Sequence, residues 1–329
     1  MSKPTPAALY LAMDGLDVDP GKALLREAGL DVLDITKDSL DAGDLARVVA
    51  LLVGYDKAGD DWFDQLPALR VVSTHSAGVD MVDVAAAHRR GLRVAHLAGG
   101  ATSEVATHAL AMALALIRRL PMLDTAVRRG RWKPDDADLP GSPRTLTCGV
   151  VGMGRIGQAF ASLAAGVFAS VIGYDPALPE ELWPTDVERL ALPDLLARSD
   201  CASLHLALTD ETRGIIDADA LASMPVGSVL VNVARGELVD EAALVGALRS
   251  GHLAGAACDV LTQEPPRKDH PLLVSERVLL SPHAAYLSPS SMQVYATEPA
   301  RSVVALLAGA ELPNIIRSTP PRPGGRSVP

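Results

Sequence analysis

Aromatic side chains are scarce in this chain: Phe, Trp and Tyr make up 3% of its 329 residues. A core must therefore be built from Ala, Val and Leu. Cysteine is scarce too. Cys148, Cys201 and Cys258 are far apart and no CxxC occurs, which excludes a zinc knuckle or a dithiol site. All three lie in apolar runs, so buried reduced thiols and a reducing compartment are expected. Basic blocks are missing. Lys and Arg number 30 against 40 Asp and Glu, for a net charge of −10, which argues against a phosphate-backbone binder. One small anion is still within reach, because a single pocket arginine can hold it. Long hydrophobic runs are absent as well. The longest, residues 109–117, ends at Arg118 and Arg119 and is too short to span a bilayer. Residues 1–10 lack the apolar stretch of a signal peptide. The expectation is a soluble, cytoplasmic protein with no nucleic-acid or membrane partner.

What is present is globular composition, 48% apolar and 21% charged. The length suits two domains at ~100–200 residues each. Short apolar runs alternate with helical patterns. Residues 8–13, 32–35, 48–53, 69–74 and 92–95 predict one series of strands, with helices such as 21–28 and 82–89 between them. A second series follows at 147–151, 170–174, 201–204, 228–233, 254–258 and 278–280. Alternation of this kind predicts parallel βαβ units, and nearly continuous apolar runs predict strands covered on both faces. Two long helices, 103–120 and 292–307, stand where one series gives way to the other. The chain therefore crosses between domains twice. The expected layout is a first domain from 1–98 and 286–317, a second from 99–285 inserted into it, and a flexible Pro- and Gly-rich tail at 318–329.

The strongest local signal is Gly152-Met153-Gly154-Arg155-Ile156-Gly157. It follows one strand directly and opens a helix. The first glycine permits a tight turn, the second lets backbone approach a pyrophosphate, and the third lets helix and sheet pack closely. Asp175 ends the next strand, 18 residues after Gly157, near the ~20-residue interval expected of an acid that binds adenosine ribose hydroxyls. A carboxylate there favours NAD and repels the extra phosphate of NADP. His205, Arg235, Asp259 and His283 each stand at the carboxyl end of a later strand, the edge at which open α/β sheets bind ligands. The remaining histidines show no metal spacing, and no metal is expected. His108 lies within the long apolar helix and suits a structural role, whereas His75, next to Ser76, is equally open to a substrate role. The basic residues Arg128, Arg129, Arg131 and Lys133 suit a solvated helix end.

As a set these residues resemble the NAD-dependent D-2-hydroxyacid dehydrogenases. The match covers roughly residues 48 to 316, and the motifs that carry it stand in order within that stretch. They are Ser76-Ala77-Gly78-Val79-Asp80, the glycine turn, His205-Leu206-Ala207-Leu208-Thr209 with Thr212, Asn232-Val233-Ala234-Arg235-Gly236, Asp259-Val260 with Glu264-Pro265, and Ser281-Pro282-His283-Ala284-Ala285. The resemblance implies an α/β fold of two Rossmann-like or flavodoxin-like parallel-sheet domains, the substrate domain split by an inserted NAD-binding domain, and a homodimer. It implies that Arg235 binds substrate and that Glu264 and His283 form the acid–base pair. His205, Ala207, Thr212, Val233, Ala234, Asp259 and Ala285 would line the cofactor, with Gly152, Gly154, Arg155, Ile156, Gly157 and Asp175. Ser76, Ala77 and Gly78 would hold the substrate carboxylate. Ala207 replaces the family's usual Pro, Ala101 a frequent Asn and Thr107 a frequent Glu. Glu264 stands where formate dehydrogenases carry Gln, which argues against that activity.

These roles suit the chemistry. Reducing a 2-oxo acid needs hydride at C2 and a proton on the developing alkoxide. Histidine suits the proton donor, and a neighbouring carboxylate favours its imidazolium form. Arginine offers a planar, permanently charged fork for carboxylate and ketone. The expected activity is hydride transfer between NAD(H) and a D-2-hydroxy acid or 2-oxo acid, in the manner of a hydroxypyruvate or glyoxylate reductase or a phosphoglycerate dehydrogenase. No serine-feedback module is expected after Ile316. Two rivals use the same fold: an NAD-sensing corepressor-like binding protein, and a dehydrogenase of an unusual donor such as phosphite.

Overall fold

The structure, a computed structural model, describes residues 4–11, 13, 15–37, 39–132 and 141–317. Lys133 and the expected tail at 318–329 lie outside the described residues. The elements run β1 (Ala7–Tyr10), α1 (Asp19–Glu27), β2 (Asp31–Asp34), α2 (Ala42–Ala46), β3 (Val48–Val53), α3 (Asp60–Phe63), β4 (Val71–Thr74), α4 (Val84–Arg89) and β5 (Arg93–Ala95). Next come α5 (Thr102–Ile117), α6 (Leu120–Arg128), β6 (Thr147–Val151), α7 (Arg155–Ala165), β7 (Ser170–Tyr174), β8 (Glu188–Arg189) and α8 (Leu192–Ala197). The rest are β9 (Cys201–Leu204), α9 (Ala218–Ser223), β10 (Ser228–Asn232), α10 (Glu241–Ser250), β11 (Leu253–Cys258), β12 (Val278–Leu280) and α11 (Pro289–Leu307). Two compact units result. One takes residues up to Gly100 and from Pro289 onward, and the other is Ala101–Ser288.

The first unit holds a five-stranded sheet in the order β2-β1-β3-β4-β5, parallel throughout. Side chains alternate across a strand, and β1 shows the consequence. Ala7 and Leu9 join a core with Leu51, Val72 and α4, while Ala8 and Tyr10 join one with Leu25 of α1 and Ala300, Val303 and Leu306 of α11. Gly21 lets α1 lie on α11, since a Cβ there would stand 2.3 Å from the Ala296 carbonyl oxygen.

The second unit holds a seven-stranded parallel sheet in the order β12-β11-β10-β9-β6-β7-β8. The order reverses at the β6–β9 junction, the kind of switch point where an open α/β sheet leaves a crevice for ligand. Its strands β9 and β10 are buried at every position, as strands between two helical layers must be. Leu195, Leu196, Leu204, Leu221, Leu230, Leu244 and Leu248 form much of one core. All three cysteines are buried free thiols.

Candidate active site

The glycine turn sits where β6 ends. Gly152 has φ +101, and a Cβ on it would lie 2.6 Å from the His205 carbonyl carbon. At Gly157 a Cβ would lie 1.8 Å from the Gly152 oxygen, so α7 packs against the turn only because no side chain intervenes. A Cβ at exposed Gly154 would meet nothing within 4 Å. That open backbone leads into the first turn of α7 at Arg155, Ile156 and Gly157, whose amides have no intrahelical partner and suit an anion. The residues thus fit a dinucleotide pyrophosphate. Asp175 leans toward the same turn. Its Oδ2 accepts from the Met153 amide at 2.8 Å, and its Oδ1 accepts from the Ala177 and Leu178 amides at 2.8 and 3.0 Å. A carboxylate has about four acceptor positions, so one is left after these three bonds.

Beyond β9, the His205 ring lies against Phe160 at 4.9 Å between centroids, with Nε2 2.9 Å from the Ser203 hydroxyl. Burial pushes its pKa down to about 3, and Nδ1 is buried without a protein partner among the described residues. A neutral ring with one orphaned nitrogen at the switch point is a further sign of a polar ligand. Thr212 ties the following loop, donating to the Ala207 carbonyl at 2.8 Å and accepting from the Thr209 amide at 2.8 Å. Past β10, Asn232 closes the turn that carries Val233, Ala234 and Arg235: Oδ1 accepts from the Ala234 amide and Nδ2 donates to the Arg235 carbonyl.

Arg235, Glu264 and His283 come together at this edge. His283 Nδ1 lies 2.7 Å from Glu264 Oε2, and Glu264 Oε1 accepts from the Leu261 amide at 2.9 Å. Burial raises the Glu264 pKa. The hydrogen bond and charge of His283, the Leu261 amide and the charge of Arg235 outweigh it and hold the carboxyl below its ordinary range. His283 itself has φ +51, a strained region for a residue with a Cβ. Buried Asp259 holds it there. Its carbonyl accepts from the His283 amide at 2.7 Å, and its carboxylate accepts from Ser281 Oγ and from the Ala284 and Ala285 amides. Asp259 therefore shapes the turn at Ala285 as well as standing at the expected cofactor wall.

A model of the family described as D-isomer specific 2-hydroxyacid dehydrogenase, NAD binding domain, matches residues 110–285. The chain belongs to the D-isomer specific 2-hydroxyacid dehydrogenase family. It is 34% identical over 319 residues to a glyoxylate reductase of Thermofilum pendens, with 91% of each chain covered. It is 40% identical over 254 residues to the D-3-phosphoglycerate dehydrogenase of Mycobacterium bovis, covering 76% of this chain and 47% of that one. The chain thus spans about half the length of that relative. Among solved structures, D-lactate dehydrogenase from Aquifex aeolicus with NAD and lactic acid shares 28% identity with a TM-score of 0.83, covering 92% of this chain and 96% of that one.

Ser76, Ala77 and Gly78 lie in the first unit, and the other predicted site residues lie in the second. The loop after β4 is tied through its carbonyls. Ser76 O accepts from Thr74 Oγ1 and the Leu97 amide, Ala77 O faces His96 Nδ1 at 3.0 Å, and Gly78 O accepts from Ser76 Oγ at 2.6 Å. His75 is buried beside Tyr10 with neither ring nitrogen bonded among the described residues, which places it inside the unit. Tyr55 is exposed.

Three further residues brace the site, and of these only His108 was expected to be structural. His108, on α5, has Nε2 3.0 Å from Ser281 Oγ, so it braces the Asp259 turn across 173 residues of sequence. Glu241 bonds His270 on one side and the Thr262 amide, in the loop of Glu264, on the other. Nothing in the sequence singles out Glu241 and His270 for this, because their bonds join segments that only the fold brings together.

Proposed function

We propose that this protein is an NAD(H)-dependent oxidoreductase interconverting a D-2-hydroxy acid and its 2-oxo acid. The observation that carries the reading is the His283–Glu264 pair at 2.7 Å, near enough to Arg235 for its charge to act on Glu264, on the sheet edge that carries the glycine turn. Bound NADH supplies the hydride. Arg235 binds the carboxylate and polarises the ketone, because its charge is permanent and its donors are forked. Glu264 accepts from His283 Nδ1–H, which turns Nε2 toward the task of giving or taking the substrate proton. Ser76, Ala77 and Gly78 are assigned to the substrate carboxylate on the resemblance alone.

The domain roles follow. Ala101–Ser288 is the NAD-binding domain, and the residues on either side of it form the substrate domain. Asp175 makes NAD the preferred cofactor. The buried thiols suit a reducing compartment such as the cytoplasm. A homodimer is supported by α6 and the residues after it, where Leu120, Met122, Val127 and Trp132 expose apolar surface.

Turnover of glyoxylate, hydroxypyruvate, pyruvate and 3-phosphohydroxypyruvate with NADH and with NADPH tests the reading. Expected are reduction of at least one 2-oxo acid and a kcat/KM ratio favouring NADH, narrowed by Asp175→Ala because the carboxylate repels the extra phosphate. Tight NADH binding with no turnover on a wide panel would favour the binding-protein alternative. Better use of NADPH by the unmodified protein would overturn the role of Asp175.

A further inference from the structure

The orientation of Glu264 depends on the backbone of its own loop. One carboxylate oxygen faces His283, and the other accepts from the Leu261 amide. The Leu261–Thr262 peptide is itself held on two sides. Gly236, next to Arg235, presses against it: a Cβ at 236 would lie 2.0 Å from the Leu261 carbonyl carbon and 2.2 Å from the Thr262 nitrogen. From another side Glu241 Oε1 accepts from the Thr262 amide at 2.8 Å.

Glu241 is the first residue of α10, but it is not needed there as a cap. Asp240 fills that role, accepting from the Ala242 and Ala243 amides. Glu241 reaches instead to the loop 21 residues further on, and its Oε2 lies 3.0 Å from His270 Nε2. His270 Nδ1 accepts from the Leu272 amide, which sets the tautomer with the proton on Nε2, facing the carboxylate. The Glu241 and His270 side chains are 20% and 13% exposed. A freely solvated ion pair would leave the loop indifferent to its presence. This pair is sheltered, and one of its oxygens is spent on backbone.

We propose that Glu241 and His270 are positioning residues for catalysis: a second carboxylate–imidazole pair that clamps the Leu261–Thr262 peptide and, through the Leu261 amide, aims Glu264 at His283. The inference rests on the dehydrogenase reading given above. The clamp makes no substrate contact. It acts on kcat because small misplacement of a catalytic group is costly, ~10²-fold for about 1 Å.

The test is a mutant cycle in the full-length protein with the best 2-oxo acid and NADH. Glu241→Ala is expected to lower kcat ~10-fold or more with NADH affinity, read by fluorescence, little changed. It should also move the pH profile of reduction in the direction taken by Glu264→Gln. His270→Gln keeps a donor for Glu241 and should retain more activity than His270→Ala. On a Glu264→Gln background, Glu241→Ala should add almost nothing, because residues acting through one another are not additive. Glu241→Gln is isosteric and should show the same directions with smaller size if the alanine variant does not fold. Independently of turnover, the Thr262 amide should exchange hydrogen faster in the Glu241 variants.

Fully multiplicative effects of Glu241 and Glu264, an unmoved pH profile, or unchanged exchange at Thr262 would each overturn the clamp. If Glu264→Gln itself leaves the profile unmoved while Thr262 exchange rises in the Glu241 variants, the parent reading has failed, and the catalytic role of the clamp fails with it.

Discussion

Both units are open parallel sheets between helices, yet the carboxyl ends of their strands carry different chemistry. In the first unit Lys22, Tyr10 and His75, beside those ends, are closed in. Lys22 Nζ donates to Asp34 at 2.7 Å, and Tyr10 and His75 are buried with ring or hydroxyl atoms left without protein partners among the described residues. In the second unit Asp175, Glu264 and His283 keep access to solvent, and backbone aims them: Asp175 by three amides, Glu264 by Leu261, His283 by the turn of buried Asp259. A fold offers an edge at which ligands can bind. Whether an edge does chemistry depends on whether its charged side chains are held by hydrogen bonds while keeping access to solvent.

The largest difference between the two edges is expected at His283. His283→Ala should lower kcat by ~10²–10⁴-fold in both directions, the usual worth of general acid–base catalysis. NADH affinity should change far less, since the glycine turn and Asp175 are untouched. Steady-state kinetics with fluorescence titration would check both. Near-normal turnover would remove the second edge's claim to the chemistry.

A smaller effect sharpens the other side. Burial pushes the His75 pKa down from the ordinary 6.5 to about 4. The unfolded chain therefore takes up the proton first. The stability tied to neutral His75 is full above pH 6.5 and is lost as pH falls from 6.5 toward 4, at about 1.4 kcal/mol per unit. His205 adds a loss of the same sign over a window reaching to about 3. Glu264 contributes at lower pH, because a depressed carboxyl pKa loses its stabilisation only as the carboxylate is protonated. Urea melts at pH 7 and pH 5 should show a shallower loss in His75→Leu than in the unmodified chain, by about 2 kcal/mol. An equal loss in both would mean that His75 is not held neutral by burial.

Much of this was legible in the sequence, for identifiable reasons. The runs 147–151, 170–174, 201–204 and 278–280 coincide with β6, β7, β9 and β12, because short, largely apolar runs mark the strands of a parallel sheet between helices. β8 escaped notice, since Glu188 and Arg189 are exposed and only two residues pair. The helix expected over 103–120 ends at Ile117, where Arg119 turns to φ 53 and α6 begins. The second long helix starts at Pro289 rather than 292; proline at a first helical position was the signal available. Of the candidate site, Arg235, Glu264 and His283 could be picked out because local motifs carry them. A structural role for His108 was expected, but its partner Ser281, like the bracing by Glu241 and His270, could not be read, because such contacts exist only between segments far apart in sequence.

On the function proposed above, His283 moves the substrate proton and Glu264 sets the state in which it does so. The most direct test is the pH dependence of kcat/KM for reduction and for oxidation, in the unmodified protein and in Glu264→Gln, under conditions where chemistry limits the rate. Reduction needs protonated His283 and should fall as pH rises, whereas oxidation needs the neutral ring and should show the opposite limb. Removing the carboxylate charge disfavours imidazolium, so the reductive limb should move to lower pH and the oxidative limb should extend downward with it. Profiles that do not move, or that move to higher pH, would contradict the assignment.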